Sequence, residues 1–265
     1  MENRVLVFEH IPKSGGSTVL KVLRRQYPGD RFFNTKNSSK EQIQHFRQMG
    51  SAQRAAYDLI AGHGAMELLP LIERPVVTVT MLRDPIDRFV SQVYYLRRKP
   101  TKKHADAVHG GLADIARTKV GRLFGTKLVQ RFSGIADIDE IMKDPQKALL
   151  AAKEALGKFD IVGVLDRFDD TLLMTWEKMN WRGVPFYARA NIGTNRPRKP
   201  LSTEEREAIA EASYLDLELY HWSVDRFAKA TDVAAIHRRR KIMRLACKAY
   251  QSAVQIKGYV RRFVK

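Results

Sequence analysis

The chain has a single cysteine, Cys247, in 265 residues. One thiol excludes a disulfide framework within the chain and gives no support for a zinc site. No apolar run approaches the roughly 18 residues that a membrane-spanning helix needs. A Walker A loop is also missing, because no Gly-x-x-x-x-Gly run ends in lysine followed by Ser or Thr.

Acidic residues are scarce at the C-terminal end of the chain. The net charge is +18, and 44% of the residues are hydrophobic. The hydrophobic fraction is ordinary for a globular protein, and this length suffices for one large α/β domain with its own core. No acidic residue follows Asp232, whereas ten basic residues lie beyond it. The excess charge is therefore concentrated in residues 233–265.

The most informative stretch is segment 10–18, which reads HIPKSGGST. It follows the apolar run 5–8 and leads into a helix-like segment, 19–27. A strand, a glycine-bearing turn and a helix N-terminus form an anion cradle, since backbone N–H groups and the helix dipole favour negative charge there. Lys13 adds a full charge, and Ser14, Ser17 and Thr18 add hydroxyl donors. This grouping suits a phosphate; the alternative is an ordinary turn whose glycines adopt positive φ and whose serine caps the helix.

A second segment has the same layout. The β-branched and apolar run 76–82 predicts a buried parallel strand. It leads directly into RDPIDRFVS, residues 83–91, in which Asp84 can cap a helix and Pro85 suits its first turn. Arg83 is then expected at the carboxyl end of a strand, where open α/β sheets bind ligands. Together with Ser91, two turns into the helix, it could hold a second phosphate.

With both segments in view, the chain resembles the sulfotransferases that use 3′-phosphoadenosine 5′-phosphosulfate (PAPS). PKSGGST resembles their 5′-phosphosulfate loop, and RDPIDRFVS resembles their 3′-phosphate motif. FDIVGVLDRFDDTL, residues 159–172, resembles the late strand–turn–helix of the carbohydrate branch, which includes heparan sulfate 2-O-sulfotransferase. At motif level the similarity spans about residues 4–227.

The resemblance implies a role for each motif residue. Lys13 would stabilise the departing phosphate, and Arg83 with Ser91 would bind the 3′-phosphate that distinguishes PAPS from ATP. The donors to the phosphosulfate would be Lys13, Ser14, Gly15, Gly16, Ser17 and Thr18. A late basic loop, with Arg196 and Arg198, would close over the nucleotide; an equally open interpretation is a solvated loop.

Histidine is the side chain best suited to accept the acceptor's proton near neutral pH. His63 follows an apolar run, 57–62, at another expected strand end. In the resembled branch a His-x-His element stands here, and in AGHG the first histidine is replaced by Ala61. His63 is the candidate base, with a hydrogen-bonded turn residue as the alternative. His10 and Glu67 are further candidates for the base. For His10 a contact with backbone is favoured instead, and for Glu67 an exposed surface position is favoured instead.

Strands at 4–9, 57–61, 76–82 and 159–164 alternate with helical patterns at 16–27, 39–54, 85–98, 122–133, 145–157, 169–180 and 203–229. This alternation predicts an α/β fold, a P-loop-like parallel sheet flanked by helices. Residues 1–232 are expected to form this domain, and 233–265 a basic amphipathic helical tail. The basic segment 97–111 is interpreted as a solvated loop, with a substrate-facing loop as the alternative.

The tail carries apolar or small residues at helical spacing: Ile242, Ala246, Ala249, Ala253, Ile256, Val260 and Phe263. Three interpretations stay open. The stripe could pack on the domain or a partner helix, which is favoured; it could lie on an anionic membrane; or the tail could attract an acidic glycan. Nucleic acid is the least favoured partner.

The sequence therefore predicts a PAPS-dependent sulfotransferase acting on a hydroxyl of a carbohydrate or glycolipid, with in-line transfer and a general base. A kinase-like phosphotransferase and a polyanion- or membrane-binding module are the alternatives. No metal is implied, because no cluster has ligand spacing. The chain opens in a strand without the apolar segment of a signal peptide, whereas many animal relatives in the resembled family carry an N-terminal membrane anchor and work in the Golgi lumen. A cytoplasmic bacterial enzyme is therefore expected, with a lumenal enzyme trimmed of its anchor as the alternative.

Overall fold

The computed structural model describes residues 4–27, 29–35, 39–99, 108–188, 200–230 and 233–263. Within these ranges the strands are β1 Val5–Glu9, β2 Phe32–Asn34, β3 Leu59–Gly62, β4 Val76–Leu82 and β5 Ile161–Val164. The α-helices are α1 Gly16–Leu23, α2 Ser39–Gln48, α3 Ser51–Arg54, α4 Pro85–Arg98, α5 Leu112–Arg117, α6 Lys119–Gly125, α7 Lys127–Ser133, α8 Ile138–Lys143, α9 Pro145–Gly157, α10 Phe168–Lys178, α11 Thr203–Ala212, α12 Tyr214–Ala230 and α13 Val233–Phe263. Short 3₁₀ turns span Gly29–Arg31, Ala65–Leu71 and Leu165–Arg167.

The described strands form one parallel sheet in the order β2-β3-β1-β4-β5. Strand β1 lies in the middle, with Leu6 beside Leu59 of β3 and beside Val77 of β4. Every residue of β1 and β3 is buried. Such continuous apolar strands are typical of a parallel sheet covered on both faces. The predicted α/β fold is confirmed.

The order of the strands changes direction at β1. From β1 the chain passes through α1 to β2 on one side, whereas β4, which follows β3, pairs with the other edge of β1. In open α/β sheets, ligands bind outside the carboxyl ends of the strands at such a point. Segment 10–15 follows β1 directly, and Arg83 is the residue that follows β4.

The chain divides into two compact units. The first comprises Met1–Met81, Asp160–Ile192 and Phe227–Lys265, and the second comprises Leu82–Phe159 and Gly193–Arg226. In the first unit, alternate residues of β1 face opposite cores: Leu6 and Phe8 pack with α1 and α10, and Val5 and Val7 pack with α2. In the second unit, α4, α5, α6 and α11 enclose a separate apolar core. The division at residue 232 stays a prediction, because packing alone does not decide whether residues 1–232 fold without the tail.

All four expected strands are present, as β1, β3, β4 and β5, and β2 was not predicted. The expected helix 39–54 is broken at Met49–Gly50, and the expected helix 203–229 is broken at Ser213. The expected helix 122–133 is broken at Thr126, next to Gly125, where a Cβ would lie 2.0 Å from the carbonyl oxygen of Ala212. This close backbone approach requires glycine and fixes where α6 ends. Helices α5 and α8 were not predicted.

The basic tail is helical as α13, but the stripe that packs differs from the expected one. Ile236 and Met243 are buried in the core of the first unit, and Cys247 packs against it. Ile242, by contrast, is 52% exposed, and Ala249 and Ala253 are exposed too. Arg240 forms an ion pair of 2.5 Å with Asp170 of α10. None of the described helices combines the length and the apolar character needed to cross a bilayer.

Candidate functional site

The loop after β1 turns sharply before α1 begins. Residues 12–15 form the turn, and two of them have left-handed backbones, Lys13 at φ 67° and Gly15 at φ 78°. A left-handed conformation costs a lysine on the order of 1–2 kcal/mol. Non-glycine residues keep such strain mostly at functional sites. Turns of this kind direct successive N–H groups into an anion-binding concavity.

The N-terminus of α1 keeps its positive character. Gly15 occupies the N-cap and provides no side-chain hydrogen bond, and the first turn contains no acidic residue. The interpretation of this turn as a serine-capped helix start is therefore wrong. The half-charge of the helix dipole is not neutralised by the helix itself. An anion is the ligand that this end of α1 favours.

Ser14 adds a buried hydroxyl to the loop. Its side chain is 0% exposed, and among the described residues its Oγ has no hydrogen-bond partner. A buried polar group without a partner costs about 1–3 kcal/mol. When a native structure contains such a group, a ligand that binds there is one explanation. The loop thus fits an oxyanion that accepts from Ser14 and the adjacent amides.

Close packing favours glycine at position 16, and a positive φ favours it at position 15. A Cβ on Gly16 would lie 1.9 Å from Cδ2 of His10, and one on Gly15 would lie 2.7 Å from Cδ1 of Leu165. The imidazole of His10 therefore occupies the space beside the first residue of α1. His10 is 6% exposed. The favoured interpretation, in which the His10 side chain contacts backbone, stays a prediction.

His63 lies against His10 in the first unit. The two rings stack with 4.6 Å between centroids and 15° between planes. The carbonyl oxygen of His10 is 2.6 Å from Nδ1 of His63. A carbonyl can only accept, so Nδ1 donates, and in the neutral ring Nε2 then holds the lone pair. The ring is half-buried, between Gly62 and Gly64, both at positive φ.

Glu9 positions the turn that holds His63, and sequence reasoning missed it. This carboxylate is 1% exposed and accepts from the amides of Gly64 and Met66, each at 3.1 Å. An acidic residue at the end of an apolar run, directly before the loop, was the available signal. Glu67, the third candidate base, is exposed, as the favoured interpretation of this residue expected.

A groove of about 820 Å³ lies in the first unit between the start of α10 and α13. Leu165 and Phe168 line it, and they are the side chains that a Cβ on Gly15 would meet. Several of its charges form ion pairs: Asp170 contacts Arg167 at 2.7 Å and Arg240 at 2.5 Å, and Asp169 contacts Arg244 at 3.4 Å. These ion pairs compensate part of the charge of the groove.

In the second unit, Arg83 and Ser91 belong to the segment that begins α4. Asp84 caps the helix by accepting from the amide of Asp87 at 2.9 Å, and Pro85 occupies the first turn, as predicted. Arg83 forms an ion pair of 3.0 Å with Asp87, and its side chain is 13% exposed. Ser91 is half-buried two turns into the helix.

Arg88, inside the same motif, is a structural residue. Its guanidinium lies 3.5 Å from Asp216 of α12 and also donates to the carbonyl of Phe124. Asp216 accepts from the amides of Leu128 and Val129 as well. Burial raises the pKa of Asp216 to about 6 and lowers the pKa of Arg88. This pair fastens α4 to α7 and α12.

Two of the predicted site residues, Arg196 and Arg198, lie outside the described residues, as does most of the basic segment 97–111. The described loop residues and His63 are in one unit, and Arg83 with Ser91 are in the other. Within the described ranges, no group of three or more His, Cys, Asp or Glu residues could hold a metal ion.

The sheet is parallel, and a glycine-bearing loop follows its central strand where the strand order changes direction. This loop leads into a helix whose N-terminus has no side-chain cap, and the combination defines a protein of the P-loop-like class. The model of the sulfotransferase family matches residues 1–227, and the chain belongs to that family. A search of curated proteins finds no match. The family match ends before α13 begins.

Proposed function

We propose that this sulfotransferase moves a sulfuryl group from PAPS to a hydroxyl of a carbohydrate or glycolipid acceptor. The observation that carries the choice of donor is the loop 12–18. It combines a strained lysine, a buried serine hydroxyl and an uncapped helix N-terminus. The acceptor class has weaker support, namely the resemblance of residues 159–172 to the carbohydrate branch.

In this proposal the loop binds the 5′-phosphosulfate. Amides at the start of α1 and the hydroxyls of Ser14, Ser17 and Thr18 donate to its oxygens, and Lys13 stabilises the charge that grows on the departing phosphate. PAPS supplies the sulfuryl group and leaves as 3′,5′-ADP. Little covalent chemistry remains for the protein, which aligns the reactants and stabilises charge, as in phosphoryl transfer.

His63 is proposed to take the proton of the acceptor hydroxyl at Nε2. The support is its tautomer, since the contact of Nδ1 with the carbonyl of His10 places the lone pair on Nε2. The stacked ring of His10 and the turn held by Glu9 keep the imidazole oriented. A base fixed in this way loses little entropy when the acceptor binds.

Arg83 and Ser91 are proposed to bind the 3′-phosphate. Arginine is suited to this role, because its planar guanidinium donates in a fork that matches a phosphate. Asp87, at 3.0 Å, holds the guanidinium in one orientation. Arg196 and Arg198 are proposed to add charge to the same nucleotide.

The donor is tested by the shift in melting temperature with 3′,5′-ADP, with 5′-ADP and with ATP plus Mg²⁺. We expect the largest shift with 3′,5′-ADP, and we expect Arg83→Ala to remove most of the difference between 3′,5′-ADP and 5′-ADP. Arg117→Ala is the matched control, because Arg117 lies in the second unit in an exposed ion pair with Glu204. Preference for ATP would favour the phosphotransferase, and indifference to all three would favour a binding module.

The acceptor is tested with PAPS labelled in the sulfuryl group, assayed against polysaccharides, glycolipids and simple phenols. We expect label in a carbohydrate-containing acceptor and none in the phenols. Label in the phenols alone would contradict the proposed acceptor class while leaving the donor intact.

A further inference from the structure

The outward face of α13 exposes large apolar side chains. Leu245 is 68% exposed and Ile242 is 52% exposed, and the exposed Ala249 and Ala253 continue the same face at spacings of four. At about 100° per residue these positions fall on one side of the helix. In the sequence the spacing of three or four continues through Ile256, Val260 and Phe263.

This face is not the one that the fold uses. The docked face carries Ile236 and Met243, which are 3% and 0% exposed, and Arg240, which pairs with Asp170. Leu245 lies about half a turn away from these residues. Helix α13 is therefore already attached to the first unit, and its second apolar face contributes nothing to that attachment.

The charged residues that α13 itself carries beside the exposed face are all basic, and one of them, Arg239, pairs at 3.8 Å with Glu177 of α10. Lys241 and Lys248 are exposed on one flank, and Arg238 and Arg239 are exposed at its start. The segment contains no acidic residue after Asp232. A helix with an apolar stripe between basic flanks is the type that lies in the interface of an anionic bilayer, with the stripe in the acyl boundary and the cations at the headgroups.

We infer that the outward face of α13 binds the surface of an anionic lipid membrane. A second copy of the chain is a poorer occupant, because a symmetric contact would bring two basic flanks together without acidic residues of the segment to compensate them. A nucleic acid is also poorer, because Ile242 and Leu245 occupy the middle of the face where phosphates would lie. The inference does not depend on which group the enzyme transfers.

The experiment is co-sedimentation of the full chain with vesicles of phosphatidylcholine alone, or of equal parts of phosphatidylcholine and phosphatidylglycerol. We expect binding to the anionic vesicles only, weakened by salt. Ile242→Gln with Leu245→Gln should reduce the affinity at least about tenfold, from the loss of apolar burial. Leu150→Gln is the matched control, since Leu150 is a helical leucine, 59% exposed, on α9 of the second unit.

A charge variant tests the flank. Lys241→Ala with Lys248→Ala should weaken binding to anionic vesicles about tenfold or more, at about 1 kcal/mol per cation. Lys143→Ala with Lys147→Ala removes two exposed lysines elsewhere and should change nothing. All variants alter exposed side chains, so their melting temperatures should match that of the wild type.

Three results would overturn the inference. The first is absence of binding to anionic vesicles. The second is equal binding by the Gln variant of the apolar face and by its Leu150 control. The third is a concentration-dependent dimer that the Gln variant abolishes, with no vesicle binding, since a second copy would then cover the face.

Discussion

Gly16→Ala is the substitution that probes the candidate site most directly. Alanine is preferred over glycine inside a helix by about 1 kcal/mol, and no positive φ opposes it here. The new Cβ, however, would lie 1.9 Å from Cδ2 and 2.3 Å from Nε2 of His10, whereas carbon atoms in contact are about 3.5–4.0 Å apart. The imidazole must therefore move.

The ring of His10 has little room to move. His10 is 6% exposed, and its ring stacks on the ring of His63 with 4.6 Å between the centroids. The ring of Phe8 also stacks with it, at a centroid distance of 6.2 Å. Overpacking of this kind costs about 1–3 kcal/mol, which exceeds the gain in helix propensity. We expect Gly16→Ala to lower the free energy of unfolding by about 1–2 kcal/mol and to weaken binding of 3′,5′-ADP.

The assay is urea unfolding together with titration of 3′,5′-ADP. Gly29→Ala is the control, because no atom lies within 4 Å of a Cβ at that glycine. His10→Ala removes the ring, so Gly16→Ala should cost less in that background, with a coupling of at least about 1 kcal/mol. Additive effects, or a Gly16→Ala protein with the stability and affinity of the wild type, would refute the reasoning.

Lys13→Ala should lower kcat at least about a hundredfold, because it removes the charge proposed to stabilise the departing phosphate; an unchanged kcat removes that role. His63→Ala should lower kcat by a similar factor and leave the dissociation constant of 3′,5′-ADP nearly unchanged, and a collapse of nucleotide binding would make the residue structural. Burial raises the pKa of Asp216 to about 6 from 3.8, so the native state keeps this proton to higher pH than the unfolded chain. Its contribution should make the free energy of unfolding fall by about 2 kcal/mol as pH rises from about 4 to about 6. Asp216→Asn should flatten that slope in urea unfolding measured across the same window, and a variant with the slope of the wild type would contradict the assignment.

The sequence predicted correctly the features that depend on residues adjacent in the chain. The apolar run of β1 and the loop after it are read from adjacent residues, and so are β4 and the cap of α4 at Asp84 and Pro85. Strand β2 has only three residues, too few for a periodic signal. The breaks at Thr126, next to Gly125, and at Ser213 depend on contacts between distant helices, which no local pattern records.

The site was predicted in the same uneven way. The loop residues and His63 carry local signals, whereas Glu9, Arg88 and Asp216 act through partners distant in sequence. Helix α13 has two apolar faces, and its periodicity alone does not say which one packs. The structure selects the face of Ile236 and Met243 over that of Ile242, because the former meets the core beside α10.

The docking of α13 has a consequence for how the chain can be shortened. The family match ends at residue 227, yet Ile236 and Met243 fill the same core as Leu6 and Phe8 of the central strand. A protein cut at the limit of the family would uncover that core and would leave Asp170 without one of its two cations. We therefore expect truncation at the end of the family match to lower the free energy of unfolding of the first unit. Point changes on the outer face of the helix avoid this loss and are the better test of what that face binds.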